Sequence, residues 1–321
     1  MMFFGPAHAS PWALLDAPFH TNVGDSAIWL GSLAILHQRF GTAPGFVTRD
    51  TEFPNGLGRK LPEGPILLHG GGNFGDLWEG YWQNRVKLLG AFRNRKIVQL
   101  PQSIHFSDSG GEALEATRRA IGEHPDFTLM LRDLPSYEFA NQHFDCRVLL
   151  VPDMAFGLRS LEQPVPPVAP IFALMRGDRE RMDDGSGARM LQGRALVDDW
   201  VGKAIQRTIN ERIILKIYKR WPGLRSHIMN GISAIYKRHC EANLTRGISA
   251  LGQGEVVITD RLHGHIICTL MGKPHVVLDN SYQKITNYIQ AWPGNDLVHM
   301  ADSIPHALTL AEDILAGAES S

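Results

Sequence analysis

The run Thr259-Asp260-Arg261-Leu262-His263-Gly264-His265 places a carboxylate, a guanidinium and an imidazole within four residues, directly after the apolar segment Glu255 to Thr259. The planar fork of Arg261 suits a carboxylate or a phosphate, and His263 can serve as acid, base or phosphate ligand. Asp260 is placed to orient one of them. A lone histidine on a strand is ordinarily structural, but Arg-x-His-Gly-His at a strand-to-helix turn points to a site. His263 and His265 could in principle bind a metal, but two histidines with no further ligand pattern make a poor site, and no metal is expected.

Four further segments carry polar groups to the ends of apolar runs. In Thr21-Asn22-Val23-Gly24-Asp25-Ser26, Gly24 lets the backbone approach a ligand and the free N–H groups of a helix start attract an anion or a sugar hydroxyl. Asp25 reads either as a helix cap or as a catalytic carboxylate. In His69-Gly70-Gly71-Gly72-Asn73-Phe74-Gly75-Asp76, three consecutive glycines after Ile66 to Leu68 imply a backbone brought close to something. The spacing is neither a dinucleotide fingerprint nor a P-loop. A tight turn explains some of these glycines but not the added Asn73, Asp76 and Trp78. Gln102 and Ser103 offer hydrogen bonds to a hydroxyl-rich ligand, and Arg132 is a candidate anion contact, while Asp133 and Ser136 read as a capped helix start. Arg176, Asn280, Tyr282 and Lys284 follow later strand-like runs and are further contacts for a substrate, although a capped helix near Ser281 accounts for most of the last group.

The elements that must position these residues alternate regularly. Trp12 to Leu15, Ile66 to Leu68, Ile97 to Leu100, Phe127 to Leu131 and Val148 to Val151 read as buried strands. Between them lie amphipathic stretches at Ala27 to Phe40, Trp78 to Phe92, Glu112 to Ile121 and Ser136 to Phe144, the order of a parallel sheet covered by helices. Four prolines within Glu162 to Pro170 mark a linker. A second α/β block then uses Ile171 to Met175, Glu255 to Thr259, His275 to Leu278 and Leu297 to His299. Residues 1–161 and 171–321 are therefore expected as two Rossmann-like domains facing a cleft. Asp178 to Gly254 fits this scheme less well; within it Ile213 to Ile217 reads as helix rather than strand, with Ile213, Ile214, Ile217, Tyr218 and Trp221 on one face and Arg212, Lys216, Lys219 and Arg220 opposite.

Composition narrows the classes. The 321 residues are 44% hydrophobic and 20% charged, enough for substantial cores and unlike a disordered chain. Thirty-two Lys and Arg against 33 Asp and Glu leave a net charge of −1, so no general field for nucleic acid exists. Any basic surface is local, and one is evident: Val201 to Arg246 holds ten Lys or Arg against Glu211 and Glu241, a local +8. The stretch suggests contact with an anionic membrane surface, with a solvated helix face as the plainer reading. Cys146, Cys240 and Cys268 show no paired spacing, which suits a reduced cytosolic compartment. Met1 to Pro18, with no Lys or Arg and interrupted by Pro6, Pro11 and Asp16, reads as a poor signal peptide, and no run approaches about 18 apolar residues.

Taken in order, Asn22-Val23-Gly24-Asp25, Gly70-Gly71-Gly72-Asn73-Phe74-Gly75-Asp76, Pro101-Gln102-Ser103, Arg132-Asp133 with Ser136, Pro152-Asp153-Met154-Ala155-Phe156 and Asp260-Arg261-Leu262-His263-Gly264 resemble the polysaccharide pyruvyl transferase family, in the flavour of the bacterial exopolysaccharide enzymes. The long basic pattern of Asp178 to Gly254 departs from it. The resemblance implies a GT-B-like pair of domains, an acceptor side in residues 1–161 and a donor side in 171–321. It further implies transfer of pyruvate from phosphoenolpyruvate to two hydroxyls of a sugar, as a cyclic ketal, with release of phosphate and no cofactor. On that reading Arg261, a second arginine (Arg176 or Arg132) and the Leu262 backbone bind the donor, His263 is the general acid and Asp25 the base. Asn22, Gly24, Gly71, Gly72, Asn73, Asp76, Gln102, Ser103, Asn280 and Lys284 complete the substrate contacts. The acceptor would be an exopolysaccharide sugar or its lipid-linked precursor, met in the cytoplasm or at the inner face of the plasma membrane. A glycosyltransferase using a nucleotide-sugar donor is the main rival, since it also sets basic groups against phosphates; a non-catalytic sugar-binding module is a third reading.

Overall fold

Strands buried on both faces must be largely apolar, and the central runs Ile66–Leu68, Phe127–Leu131 and residues 171–174 are. The computed structural model describes residues 11–49, 61, 63–78, 80–108, 111–176, 190–200, 206–279, 283–294 and 296–319. Twelve strands are present among them: β1 (Ala13–Ala17), β2 (Phe46–Arg49), β3 (Ile66–Leu68), β4 (Gly71–Gly75), β5 (Ile97–His105), β6 (Phe127–Leu131), β7 (Arg147–Leu150), β8 (Ala169–Leu174), β9 (Leu196–Asp198), β10 (Gly254–Thr259), β11 (His275–Leu278) and β12 (Val298–Ala301). Nine α-helices accompany them: α1 (Val23–Phe40), α2 (Tyr81–Ala91), α3 (Glu112–Gly122), α4 (Leu134–His143), α5 (Ile209–Arg220), α6 (Arg225–Leu251), α7 (Leu262–Met271), α8 (Lys284–Ala291) and α9 (Ile304–Glu319). The fold is α/β with parallel sheets.

The chain divides into two units. The first comprises residues 1–20, 25–157 and 205–241, and the second residues 21–24, 158–204 and 242–321. The first unit carries a sheet in the order β2-β1-β3-β5-β6-β7, with β4 added against β5, and every pairing is parallel. The chain leaves β1 for β2 on one side and continues from β3 on the other, so the order reverses between β1 and β3. The second unit carries β12-β11-β10-β8-β9, again parallel, with its reversal between β8 and β10. In open parallel sheets the carboxyl ends beside such a reversal leave a crevice for ligands.

Helix α9 supplies Ala307, Leu308 and Ala311 against Ile171, Ala173, Val256, Ile258 and Val276 to form the core on one side of the second sheet. Helix α4 starts as expected, with Asp133 as N-cap accepting from the Ser136 amide at 2.9 Å. The preference for helix over strand at Ile213 to Ile217 is met by α5, whose Thr208–Glu211 capping box begins it.

Three points correct the sequence reading. Gly71–Gly75 is itself a strand, β4, rather than a turn alone. It lies so close to β5 that a Cβ on Gly75 would collide with the His105 carbonyl oxygen, and Gly71 and Gly75 both adopt φ of 130°. Helix α1 begins at Val23, and the residue ahead of it, Asn22, accepts the Gly24 amide at 2.9 Å; the cap position offered to Asp25 belongs to Asn22. Finally, the apolar face drawn for α5 is split: Tyr218 is buried whereas Ile213 and Trp221 are exposed.

Candidate active site

In the first unit the selected residues collect at the β1/β3 reversal. Asp25, in the first turn of α1, lies beside the glycine-rich segment: a Cβ on Gly71 would stand 3.7 Å from its Oδ1. Its other oxygen is 3.6 Å from Nε2 of His20, a neighbour absent from the sequence reading whose only signal was its place just after β1. On the far side of the glycines, a Cβ on Gly72 would lie 3.4 Å from Nη2 of Arg132. Arg132 is buried; its Nη1 donates to Asp153 at 2.7 Å and its Nε to the Ser103 hydroxyl at 2.9 Å. Asp25, Gly71, Gly72, Ser103 and Arg132 thus form one row across the strand ends, with Asp153 as the buried counter-charge.

The shape of that row is set from beneath. Gln102 donates to the His69 carbonyl at 2.9 Å and to Asn73 Oδ1 at 2.8 Å, and accepts the Asn73 amide at 3.1 Å. Gln99 donates to the His69 carbonyl at 2.8 Å and accepts from Arg85 Nε at 2.9 Å. Arg85 lies 4.3 Å over the Phe74 ring, and burial, set against Asp16 and Tyr81, lowers its pKa to about 10. Gln102 and Asn73 therefore spend their side chains on each other and on the turn. Sequence reasoning missed Arg85 and Gln99, because a buried arginine on a helix and a glutamine inside an apolar strand have no motif around them. Asp76, selected with the glycines, accepts from the Ser107 amide and hydroxyl and ties β4 to the end of β5.

In the second unit the residues gather at the β8/β10 reversal. The buried carboxylate of Asp260 accepts the Arg176 amide with both oxygens, at 2.9 and 3.2 Å, joining the ends of β8 and β10. Burial pushes its pKa up to about 6 against the pull of Arg261 and Arg176. Arg261 is the N-cap residue of α7, its amide donating to Thr259 Oγ1 at 3.1 Å, and one terminal nitrogen of its guanidinium is paired with Asp199. Asp199 was also missed; it follows the three-residue strand β9, inside the stretch that resembled nothing. Leu262 and His263 open α7. Gly264 is required there, since a Cβ would come within 2.5 Å of Thr259 Oγ1.

The His263 ring packs on the backbone of Gly24, where a Cβ would be 2.5 Å from Nδ1. Two motifs 239 residues apart in sequence thus meet, and only glycine permits the approach. Arg246 on α6 bonds the Thr21 carbonyl and holds the segment before Gly24. His265 turns inward instead. Its Nδ1 is 2.8 Å from His275 Nε2, and His275 Nδ1 is 2.8 Å from the Lys273 carbonyl, so each Nδ1 carries the donated proton. Burial, helped by neighbouring histidines, lowers the pKa of His265 to about 3 and that of His275 to about 4. Lys284 opens α8, whose first amides at Ile285 and Thr286 are accepted by Asp279; Asn280 and Tyr282 lie outside the described residues. Among the described residues no group of three His, Cys, Asp or Glu is placed to hold a metal ion.

Polar and charged groups thus gather at the reversals of two parallel sheets, the place where α/β proteins hold their ligands. Residues 22–282 match the family model for polysaccharide pyruvyl transferase, and the chain belongs to that family. EpsO of Bacillus subtilis (strain 168), whose name assigns it pyruvyl transfer, is 32% identical over 282 residues, covering 86% of this chain and 84% of that protein. Pyruvyl transferase 1 of Schizosaccharomyces pombe is 29% identical over 316 residues, 93% of this chain and 74% of that one. The fold is shared with a functionally uncharacterised protein of Klebsiella pneumoniae, at a TM-score of 0.57 and 18% identity over 92% of this chain and 95% of that one.

Proposed function

We propose that the protein transfers pyruvate from phosphoenolpyruvate to two hydroxyls of an exopolysaccharide sugar or its lipid-linked precursor, at the inner face of the plasma membrane, forming a cyclic ketal. The observation that carries the reading is the start of α7: Arg261 at the N-cap, His263 two residues on and the amides of the first turn suit a ligand bearing both phosphate and carboxylate. Arg176, whose amide is held by Asp260 at the carboxyl end of β8 beside Arg261, is the second donor-side arginine. His263 delivers a proton to the methylene carbon, which becomes the methyl group and leaves an oxocarbenium-like centre beside it. One sugar hydroxyl adds there, phosphate departs, and the second hydroxyl closes the ring. Of the two hydroxyl protons, one leaves with phosphate and the other restores the acid. Asp25 takes up the first of these protons and passes it to the departing phosphate, while Asn22, Gly24, Leu262 and Lys284 contact ligand through backbone or side chain. The reaction needs no cofactor. A GT-B-like pairing, with the acceptor on residues 1–161 and the donor on 171–321, belongs to the same proposal.

Thermal shift separates this reading from the nucleotide-sugar alternative. Stabilisation by phosphoenolpyruvate and none by nucleotide sugars is expected, followed by phosphate release when a panel of free and lipid-linked glycosides is added. Stabilisation by a nucleotide sugar alone would overturn it.

A further inference from the structure

Helix α5 and the turn Pro222–Leu224 carry an unusual outer face. Ile209, Ile213, Trp221 and Leu224 are 75%, 51%, 50% and 47% exposed, so four of the eleven large apolar side chains found exposed among the described residues fall within one short segment. The inner side of the helix does not need them. Tyr218 is buried there, and Ile214 packs on Gly231, where a Cβ would lie 3.4 Å from its Cδ1.

Charge on this face is equally one-sided. Several cations of the basic stretch are engaged elsewhere: Arg207 over the Phe19 ring, Arg225 over Tyr218, Arg238 with Glu211, Lys237 with Glu241 and Arg246 with Thr21. Arg212, Lys216, Lys219 and Arg220 are exposed and make no ion pair with a described residue. The helix has one carboxylate, Glu211, and Arg238 holds it. Ile209, Ile213, Lys216 and Arg220 follow each other at spacings of four, three and four, hence along one line of the helix. Cations with long apolar stems are thereby interleaved with exposed isoleucines, and an indole stands at the end.

We propose that this face docks on an anionic lipid surface, with Ile209, Ile213, Trp221 and Leu224 entering the headgroup boundary and Arg212, Lys216, Lys219 and Arg220 meeting lipid phosphates. Lysines are depleted at the cores of protein–protein interfaces, whereas here they alternate with the apolar groups. Aliphatic protrusions likewise give nucleic acid neither stacking nor phosphate contact. No described helix is long and apolar enough to cross a membrane, and α5 has only 12 residues, so the contact is interfacial. The inference deepens the membrane-facing part of the proposed function. It concerns binding alone, so it stands or falls separately from the donor.

The full chain is tested by co-sedimentation with phosphatidylglycerol/phosphatidylcholine vesicles and with phosphatidylcholine alone, at low and high salt. Binding to the anionic vesicles that weakens with salt is expected. Lys216→Glu/Lys219→Glu/Arg220→Glu should weaken it about 100-fold, and Ile213→Ser/Trp221→Ser about tenfold, with thermal midpoints kept. Lys216→Gln/Lys219→Gln serves as a milder variant should the first fail to fold. Absence of binding at low salt, or binding that ignores both sets of variants, overturns the proposal. So does size exclusion showing an oligomer that the apolar variants dissociate, because the face would then belong to a second copy.

Discussion

Arg261 and His263 are neighbours with separable roles, and kinetics can tell them apart. Arg261→Ala removes the principal anion contact together with the Asp199 ion pair, so phosphate release should fall below detection. Lysine should not rescue it, because an ammonium cannot serve Asp199 and a ligand in one plane. His263→Ala should lower kcat more than it raises KM if the imidazole is the proton donor. Near-normal kcat with a raised KM would make it a phosphate ligand only. Gly24→Ala tests the contact on the other side of the ring. Its methyl would stand 2.5 Å from His263 Nδ1, so the imidazole must move; a loss of kcat of about 100-fold is expected, with a stability cost of about 1–3 kcal/mol. An unchanged rate would detach the ring position from catalysis. Asp25→Asn should retain the fold and phosphoenolpyruvate binding while turnover drops, since Asn22 holds the cap position and Asp25 is free of that duty. Equal turnover in the two proteins would leave Asp25 without a catalytic part.

At the scale of elements, the backbone of β4 is governed by its neighbours. A strand with three glycines among five residues has little intrinsic stability, and Arg85, Gln99 and Gln102 make up the deficit by binding Asn73 and the His69 carbonyl. Arg85→Met keeps roughly the same volume but leaves the buried Gln99 oxygen without its donor. Urea unfolding should show a loss of about 1–3 kcal/mol, and acceptor KM should rise because Gly71 and Gly72 are no longer held. Unaltered stability would mean that Gln99 finds another donor and that Arg85 is dispensable. The same reasoning explains why the glycine segment was visible in sequence only as something unusual: its strand conformation depends on β5, which lies about thirty residues away.

For the whole molecule, pH separates two opposing effects within the second unit. His265 and His275 have folded pKa values of about 3 and 4, below the ordinary 6.5, so the stability they contribute is complete above pH 6.5 and is lost on acidification. At pH 5 each costs about 2 kcal/mol. Asp260, with a folded pKa of about 6 above its ordinary 3.8, acts in the opposite sense and returns about 1 kcal/mol over the same interval. The thermal midpoint should therefore fall between pH 6.5 and 5, and His275→Gln should flatten that fall; a midpoint constant across this range would show that the buried pair is not neutral. What the sequence by itself determined was local: alternating apolar runs and helical stretches define a parallel α/β protein, and the strand-end motifs mark Asp25, the glycines, Arg132, Arg261 and His263, because burial on both faces and exposed strand ends each impose residue types at short range. Tertiary structure alone decided which of these meet. Gly24 reaches His263 and Asp199 reaches Arg261 across long separations, Asn22 takes the cap from Asp25, and residues 205–241 group with the first unit although they follow β8 and β9 in the chain. Those pairings depend on strand order and helix packing, which no short window of residues encodes.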